Sequence, residues 1–251
     1  MYSLKLSILL FMICISANSF SQTIVAAIGD YPPYTSKDDP KARLAEEIVT
    51  EAFKAVGYQV EIRWVPWKRA YEEARLGKVD FTFAWFKTKT READFYYSLP
   101  LYPVQEVFFF IKGSQFSWSS FEDLSSYRIG STLGYSHIEV LNNAGVEVEL
   151  AKTDTIALQK LYNRRIDATP IDVHAAYYLL SRLPQKYRDA ITHSDKPVLE
   201  NHQYVLASKK LGEQSERLIA QFNQGLSETR KNGSYEKILA KYKQHTRNTN
   251  L

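Results

Sequence analysis

The sequence predicts an α/β fold of two lobes, in which helices flank parallel-rich sheets and two strands cross between the lobes. Short apolar strands alternate with amphipathic helices at the start of the chain, and the same alternation restarts after Ile111. From Glu213 onward the pattern is helical. Alternation of strand and helix is typical of parallel strands covered by helices, so two such units predict two lobes.

The first unit has clear breaks between its elements. Pro32 and Pro33 end the first strand because proline cannot donate to a ladder. Gly57 and Gly77 follow two stretches with helical spacing of apolar residues. The predicted elements are strands over residues 23–28, 59–65 and 79–83 and helices over residues 42–56 and 67–76.

The second unit begins with a long apolar strand over residues 104–111. We then expect strands over residues 128–131, 146–150 and 166–170 and helices over residues 121–124, 134–142, 154–163 and 172–180. A strand over residues 203–208 and helices over residues 213–229 and 234–242 complete the chain.

This order predicts that both ends of the chain build one lobe and that the other lobe is inserted. We expect residues 22–108 and 206–251 to form lobe 1 and residues 109–205 to form lobe 2. The strands near residues 107–111 and 203–207 would cross between the lobes, and paired crossover strands can act as a hinge.

Residues 1–21 have the pattern of a signal peptide. Lys5 precedes an apolar run of about ten residues, too short to span the bilayer as a helix. Small residues lead to a predicted cleavage after Ser21, with cleavage after Ser19 as the alternative. The only cysteine, Cys14, lies in this segment, so the exported chain would have no disulfide and no thiolate. We therefore expect a periplasmic protein, and we expect it to be a monomer.

The charge balance excludes a nucleic-acid partner. The chain has 32 basic and 28 acidic residues, and loss of Lys5 leaves a net charge of +3. That excess is too small for a nucleic-acid footprint. Aromatic residues make up 14% of the chain, and Tyr and Trp often line clefts for small ligands.

A polar turn after the strand over residues 79–83 contains Thr88 and Arg91. An arginine at a strand end can hold a small anion, because the planar guanidinium matches a carboxylate. The alternative is a surface arginine that pairs with Glu92 or Asp94.

Five short motifs extend this observation to nearly the whole chain after residue 21. They are Tyr31-Pro32-Pro33-Tyr34, Gly77-Lys78-Val79-Asp80, the Thr88-to-Arg91 turn with Ser98-Leu99-Pro100-Leu101-Tyr102, the Leu161-to-Ala168 segment and the Gly233-to-Tyr242 segment. In this order they resemble the bacterial extracellular solute-binding proteins of family 3, the amino-acid receptors of ABC importers. The resemblance implies a type II periplasmic-binding-protein fold. It also implies capture of a small polar, amino-acid-like solute between the lobes and its delivery to an ABC transporter permease.

The resemblance also implies roles for polar residues. Arg91, with Thr88 in the same turn, would hold the ligand carboxylate, and Asp172 would hold the ammonium group. Ser136, at a strand-to-helix turn, is a second candidate for the carboxylate, because free N–H groups there attract anions. The alternative for Ser136 and for Asp172 is a plain helix N-cap.

Aromatic walls of the site would come from Tyr31 and Tyr34, with Trp67 and Trp85 as further candidates and core packing as the alternative for each. Tyr135 and Trp85 stand where relatives usually have small residues. This bulk predicts a ligand with an aromatic or extended side group.

We expect no enzyme activity, no metal and no cofactor. The segment Gly130-Ser131-Thr132-Leu133-Gly134 lacks a central serine, the five histidines lack ligand spacing, and no phosphate-binding glycine loop occurs. Two alternatives stay open: a sensor domain that signals through a membrane partner, and a dehydratase-like enzyme that uses Asp172 as an acid.

Overall fold

The computed structural model describes residues 22–249, and the predicted signal peptide lies outside them. Within residues 22–249, no helix is both long and apolar enough to cross a membrane. The elements up to Tyr97 are β1 (Gln22–Ile28), α1 (Leu44–Ala55), β2 (Tyr58–Trp64), α2 (Trp67–Arg75), β3 (Thr82–Phe86), α3 (Lys89–Asp94) and β4 (Phe95–Tyr97).

The next elements, up to Arg182, are β5 (Pro103–Ile111), a 3-10 helix (Phe121–Ser126), β6 (Ile129–Thr132), α4 (His137–Asn143), β7 (Val148–Ala151), α5 (Asp154–Tyr162), β8 (Ala168–Asp172) and α6 (Val173–Arg182). The chain continues with α7 (Gln185–Ala190), β9 (Ile191–Ser208), a 3-10 turn (Lys209–Leu211), α8 (Glu213–Lys231) and α9 (Ser234–Thr249).

Two differences from the predicted elements concern the first unit. The strand expected over residues 79–83 begins at Thr82, because Phe81 makes only an isolated bridge to Ala26 and the ladder with β9 starts one residue later. Helix α3 and strand β4 have only six and three residues, too few for the periodicity that predicts longer elements.

The strand ladder is mixed and continuous. Its order is β3-β9-β5-β8-β6-β7, with β4 also paired to β9, while β1 and β2 form a separate parallel pair. Strand β6 is parallel to β7 and β8, whereas β9 is antiparallel to β3, β4 and β5. The expectation of two separate sheets is therefore corrected: β9, 18 residues long, joins strands of both units.

The hydrophobic cores are nevertheless distinct. One core surrounds Phe53, Phe81 and Phe222 and draws on residues 24–104 and 205–242, and a smaller core around Phe95 adjoins the same part of the chain. Two further cores, around Phe108 and Phe109, draw on residues 107–198. We call the bodies around these cores lobe 1 and lobe 2, and we propose boundaries near those expected from the sequence. Tyr31 packs against the cores of both bodies.

Candidate ligand-binding site

A turn after β1 brings two tyrosine rings to the contact between the lobes. The backbone N–H of Tyr31 donates to the carbonyl oxygen of Thr35 at 2.9 Å, and the N–H of Thr35 donates back at 3.1 Å. The rings of Tyr31 and Tyr34 stack with centroids 5.4 Å apart, and Tyr34 stacks on Tyr102 at 5.1 Å. The turn thus holds the rings of Tyr31 and Tyr34 side by side at this contact.

Asp172 lies at the end of β8 and is fully buried. Its Oδ1 accepts hydrogen bonds of 2.8 Å from the backbone N–H of Ala175 and from the hydroxyl of Tyr34. Its Oδ2 has no hydrogen-bond partner. The carboxylate therefore caps α6 and contacts lobe 1 with one oxygen, while the other oxygen remains available.

A second buried acid stands beside Asp172. Glu106 is its partner in the β5–β8 ladder, so both side chains leave the same face of the sheet. Burial raises the pKa of Asp172 to about 7, and the negative charge of Glu106 adds to this rise. Oε1 of Glu106 has no hydrogen-bond partner.

Sequence reasoning missed the polar chain that begins at Glu106. Its Oε2 lies 2.7 Å from Nδ1 of His137, and Nε2 of His137 lies 2.7 Å from Oγ of Ser131. All three side chains are buried. One signal was available, because Glu106 interrupts the apolar strand over residues 104–111.

A third buried acid, Asp154, accepts hydrogen bonds from the end of β6 and from the loop that follows it. The hydroxyl of Tyr135 and that of Thr132 each donate at 2.5 Å to Asp154, which is buried. Burial raises the pKa of Asp154. The ring of Tyr135 meets Tyr31 edge-on at 6.3 Å. Oγ of Ser136 has no hydrogen-bond partner and does not cap α4.

These contacts define one group of residues. We call it the acid–tyrosine cluster, formed by Tyr31, Tyr34, Glu106, Tyr135, Ser136, Asp154 and Asp172. Burial raises the pKa of all three tyrosine hydroxyls well above the usual value, which keeps them protonated as donors. A second contact between the lobes lies at Asp39, which accepts from the hydroxyl of Tyr178 at 3.0 Å and pairs with Arg182.

Arg91 lies in a different environment. Its Nη1 donates to the carbonyl oxygen of Phe86 at 2.9 Å, and its Cζ stands 4.8 Å from the ring centroid of Trp85. Desolvation lowers the pKa of Arg91. Among the described residues no acid pairs with it: Glu92 pairs with Lys87, and Asp94 accepts from Tyr71.

The other predicted residues of lobe 1 surround Arg91. Trp67 meets Trp85 edge-on at 5.0 Å, and its Nε1 donates to the carbonyl oxygen of Asp30 at 2.9 Å. Oγ1 of Thr88 accepts from the backbone N–H of Arg91 and so caps α3. We call Trp67, Trp85, Thr88 and Arg91 the arginine–tryptophan group. In the described part of the chain, no hydrogen bond or ring contact joins this group to the acid–tyrosine cluster.

Comparison with known proteins settles the family. The model of the bacterial extracellular solute-binding proteins, family 3, matches residues 23–245. The chain belongs to this family. It is a solute-binding protein, and the prediction of the family from its motifs is confirmed.

Two curated relatives bind amino acids according to their names. The chain is 23% identical over 227 residues to a probable histidine-binding protein of Neisseria gonorrhoeae, which covers 87% of this chain and 81% of that protein. It is 24% identical over 221 residues to the L-cystine-binding protein TcyA of Bacillus subtilis (strain 168), covering 87% and 80%.

Solved structures show the same fold. A histidine kinase sensor domain with similarity to periplasmic binding proteins has a TM-score of 0.77 at 22% identity, covering 90% of this chain and 97% of that one. An ancestral arginine-binding protein bound to arginine has a TM-score of 0.73 at 23% identity, covering 89% and 99%. The predicted two-lobed periplasmic-binding-protein fold is confirmed.

Proposed function

We propose that the acid–tyrosine cluster is the site at which this receptor captures an amino-acid-like solute. The supporting observation is a set of polar atoms without partners: the hydroxyl of Tyr31, Oε1 of Glu106, Oγ of Ser136 and Oδ2 of Asp172. Buried polar atoms are nearly always hydrogen-bonded, and those left alone are costly. A ligand between the lobes is the natural partner for them.

Within this proposal Asp172 accepts from the ammonium group of the ligand. Its available oxygen and its position between the lobes support this role. Ser136 offers a hydroxyl to the ligand, and Tyr31, Tyr34 and Tyr135 supply walls. The role of Arg91 in holding a carboxylate stays a prediction, as do ligand contacts by Thr88, Trp67 and Trp85.

Space for an extended side group lies next to Tyr34. A cavity of about 360 Å³ is lined by Tyr34, Leu44, Tyr102 and Tyr178, and it is also bordered by the charged side chains of Asp39, Lys41 and Arg182. Its walls are mostly apolar rings and aliphatic groups, which favour flat or apolar ligand parts. This cavity supports the expectation of an aromatic or extended side group rather than one as small as that of glycine.

The names of the curated relatives support an amino-acid ligand, and the family supports a role in import. We propose that the protein acts in the periplasm without catalysis, as a monomer, and delivers its solute to an ABC transporter permease. A sensor role is the second candidate, since a sensor domain shares the fold.

Calorimetric titration with the twenty L-amino acids tests the proposed function. The purified protein is first unfolded and refolded to remove any bound solute. We expect at least one amino acid to bind, and Asp172→Asn to weaken that binding by about 2–5 kcal/mol, because it removes one partner of a buried charge pair. Asp195→Asn, in β9 of lobe 2 and outside the cluster, is the control. Absence of binding by every amino acid would contradict the proposal.

A further inference from the structure

We propose that Tyr97 is a second donor, beside Arg91, to the carboxylate of the bound amino acid. The inference rests on the proposed function and deepens it, because it says how lobe 1 meets the anionic end of the ligand while Asp172 meets the ammonium end. The sequence motifs gave no role to Tyr97, which lies in the short strand β4.

The register of three strands places the ring of Tyr97 on the same face of the sheet as that of Trp85. Trp85 of β3 pairs with Tyr204 of β9, and Tyr97 of β4 pairs with Leu206 of β9. Paired residues point to the same face, and so do residues two apart on one strand. Tyr97 and Tyr204 meet edge-on at 5.6 Å, and Cζ of Arg91 lies 4.8 Å from the ring centroid of Trp85. Arg91 and Tyr97 therefore share this face.

The guanidinium of Arg91 has donors without acceptors. It carries several N–H groups, and the bond from Nη1 to the carbonyl oxygen of Phe86 is its only side-chain hydrogen bond within the described residues. No acid in that part of the chain pairs with it, and desolvation lowers its pKa. A desolvated charge without a counterion is costly, so an anion from outside the chain is its natural partner.

The hydroxyl of Tyr97 is a second group without a partner. Its oxygen is buried and makes no hydrogen bond with the described residues. Burial raises the pKa of Tyr97 to about 12, against the opposing effect of the positive charge of Arg91, so the hydroxyl stays protonated and can donate. A carboxylate has two oxygens and can accept from a guanidinium and a hydroxyl at once. The two side chains thus offer a pair of donors to one anion.

Trp67 joins this face to the turn that holds Tyr31. Its ring meets Trp85 edge-on at 5.0 Å, and its Nε1 donates to the carbonyl oxygen of Asp30 at 2.9 Å. Asp30 directly precedes Tyr31, a member of the acid–tyrosine cluster. The rings therefore lead from the cluster to Arg91, which supports one ligand held at both of its charged ends.

Calorimetric titration of the refolded protein at pH 6 tests this inference with a matched pair of ligands. The first is whichever of the twenty L-amino acids binds most tightly. The second is its α-carboxamide, which keeps the ammonium group and has no carboxylate. We expect Tyr97→Phe to weaken binding of the amino acid about tenfold, which is about 1.4 kcal/mol. Binding of the carboxamide should weaken less than about threefold, because hydrogen bonds to charged groups are the stronger ones.

Two further variants serve as controls. Tyr96→Phe alters the neighbouring residue of β4, which packs against the large core of lobe 1 and whose hydroxyl interacts with Glu216. It should change the affinity for either ligand less than about twofold. Asp172→Asn should weaken both ligands alike, since both carry the ammonium group. Urea unfolding checks that Tyr97→Phe remains folded.

The possible outcomes separate this inference from the proposed function. Unchanged affinity in Tyr97→Phe, or equal losses for the amino acid and its carboxamide, would overturn the inference and leave the solute receptor in place. Wild-type protein that binds the carboxamide as tightly as the amino acid would do the same. If no amino acid binds, the proposed function is wrong and the inference fails with it.

Discussion

The hydroxyl of Tyr34 donates a hydrogen bond of 2.8 Å to Oδ1 of Asp172, although the two residues are 138 positions apart. One belongs to the core of lobe 1, and the other ends a strand of lobe 2. The bond therefore joins the two lobes at the same carboxylate that has an oxygen available for a ligand. If the proposed function holds, contact between the lobes and occupation of the site are coupled at this point.

Removal of that hydroxyl should loosen the contact between the lobes. In Tyr34→Phe the ring still stacks on Tyr31 and Tyr102, but Asp172 loses one of its donors. We expect the ligand-free protein to shift toward open forms and to show a larger radius of gyration in small-angle X-ray scattering.

Tyr102→Phe is the matched control, because Tyr102 lies in the core of lobe 1 and its hydroxyl bonds Gln203, which pairs with Phe86 of β3. This variant should lose stability without a change in the radius of gyration. An identical scattering profile for Tyr34→Phe and the wild type would show that the Tyr34–Asp172 bond does not hold the lobes together.

The raised pKa of Asp172 predicts a dependence of stability on pH. Its pKa in the folded protein is about 7, above the usual 3.8, so the folded state binds a proton more tightly than the unfolded chain. The free energy of unfolding due to this group therefore falls as pH rises from about 4 to about 7, by up to about 4 kcal/mol. Asp172→Asn removes that penalty. We expect the ligand-free variant to be more stable than the wild type at pH 8 and to lose this advantage toward pH 4, as measured by urea unfolding.

Asp167→Asn provides a control of opposite sign. A hydrogen bond from Arg128 lowers the pKa of Asp167, so this acid contributes stability above its unfolded pKa and loses it as pH falls. The variant should be slightly less stable than the wild type at pH 8, by about 0–1 kcal/mol for a partly exposed pair. Parallel curves of stability against pH for Asp172→Asn and the wild type would contradict the assignment.

Binding of a cation should release a proton from the site. In the free protein Asp172 is partly protonated near pH 7, and a bound ammonium favours its charged form. Affinity should therefore rise between pH 5 and pH 8, by about 100-fold if Asp172 alone accounts for the change. Calorimetry at pH 6 in two buffers of different ionisation enthalpy measures the released proton.

Other ionisable groups face the same space, namely Glu106, His137, Asp154 and the tyrosines of the cluster. The same calorimetric measurement on Asp172→Asn separates the protons released by these groups from the proton released by Asp172, since only the wild type should show the latter. Proton uptake on binding, or equal release by both proteins, would show that Asp172 is not the group that titrates.

The buried hydrogen bond between Glu106 and His137 should be costly to break. Both side chains are almost fully buried, and Nδ1 of His137 lies 2.7 Å from Oε2 of Glu106. His137→Leu leaves Oε2 of the buried Glu106 side chain without its hydrogen-bond partner and should cost about 1–3 kcal/mol. The double variant Glu106→Leu/His137→Leu should be less destabilised than the sum of the single variants, because neither buried polar group is left without its partner.

His202→Leu is the control, since this histidine is exposed in β9 and should change stability by less than about 0.5 kcal/mol. The measurement is urea unfolding of all four variants at pH 7. Strict additivity of the two single substitutions would show that the pair makes no coupled contribution.

Much of the fold could be predicted because its signals are local. Helices α1, α2, α5 and α8 follow apolar spacing and glycine or polar breaks, and the structure places them within a few residues of the predicted bounds.

Strand β9 was predicted only over residues 203–208. Its earlier part, from Ile191, is polar, contains Pro197 and pairs with shifted register, so no alternation marks it. Its length is decided by pairing with β5, which is a non-local contact.

The residues of the candidate site also fall into two groups, those that local sequence signals predict and those that only tertiary packing brings together. The sequence predicted one cleft for Arg91, Ser136 and Asp172, with Tyr31 and Tyr34 as its walls, because prolines and helix caps mark turns and strand ends locally. The sequence alone also determined the family, through the order of its motifs. Only the tertiary structure decided that Glu106, His137 and Ser131 form a buried chain, because strand register brings them together. It also decided that Arg91 stacks on Trp85 and donates to the carbonyl oxygen of Phe86, since a motif specifies a strand end but not the packing that orients its side chain.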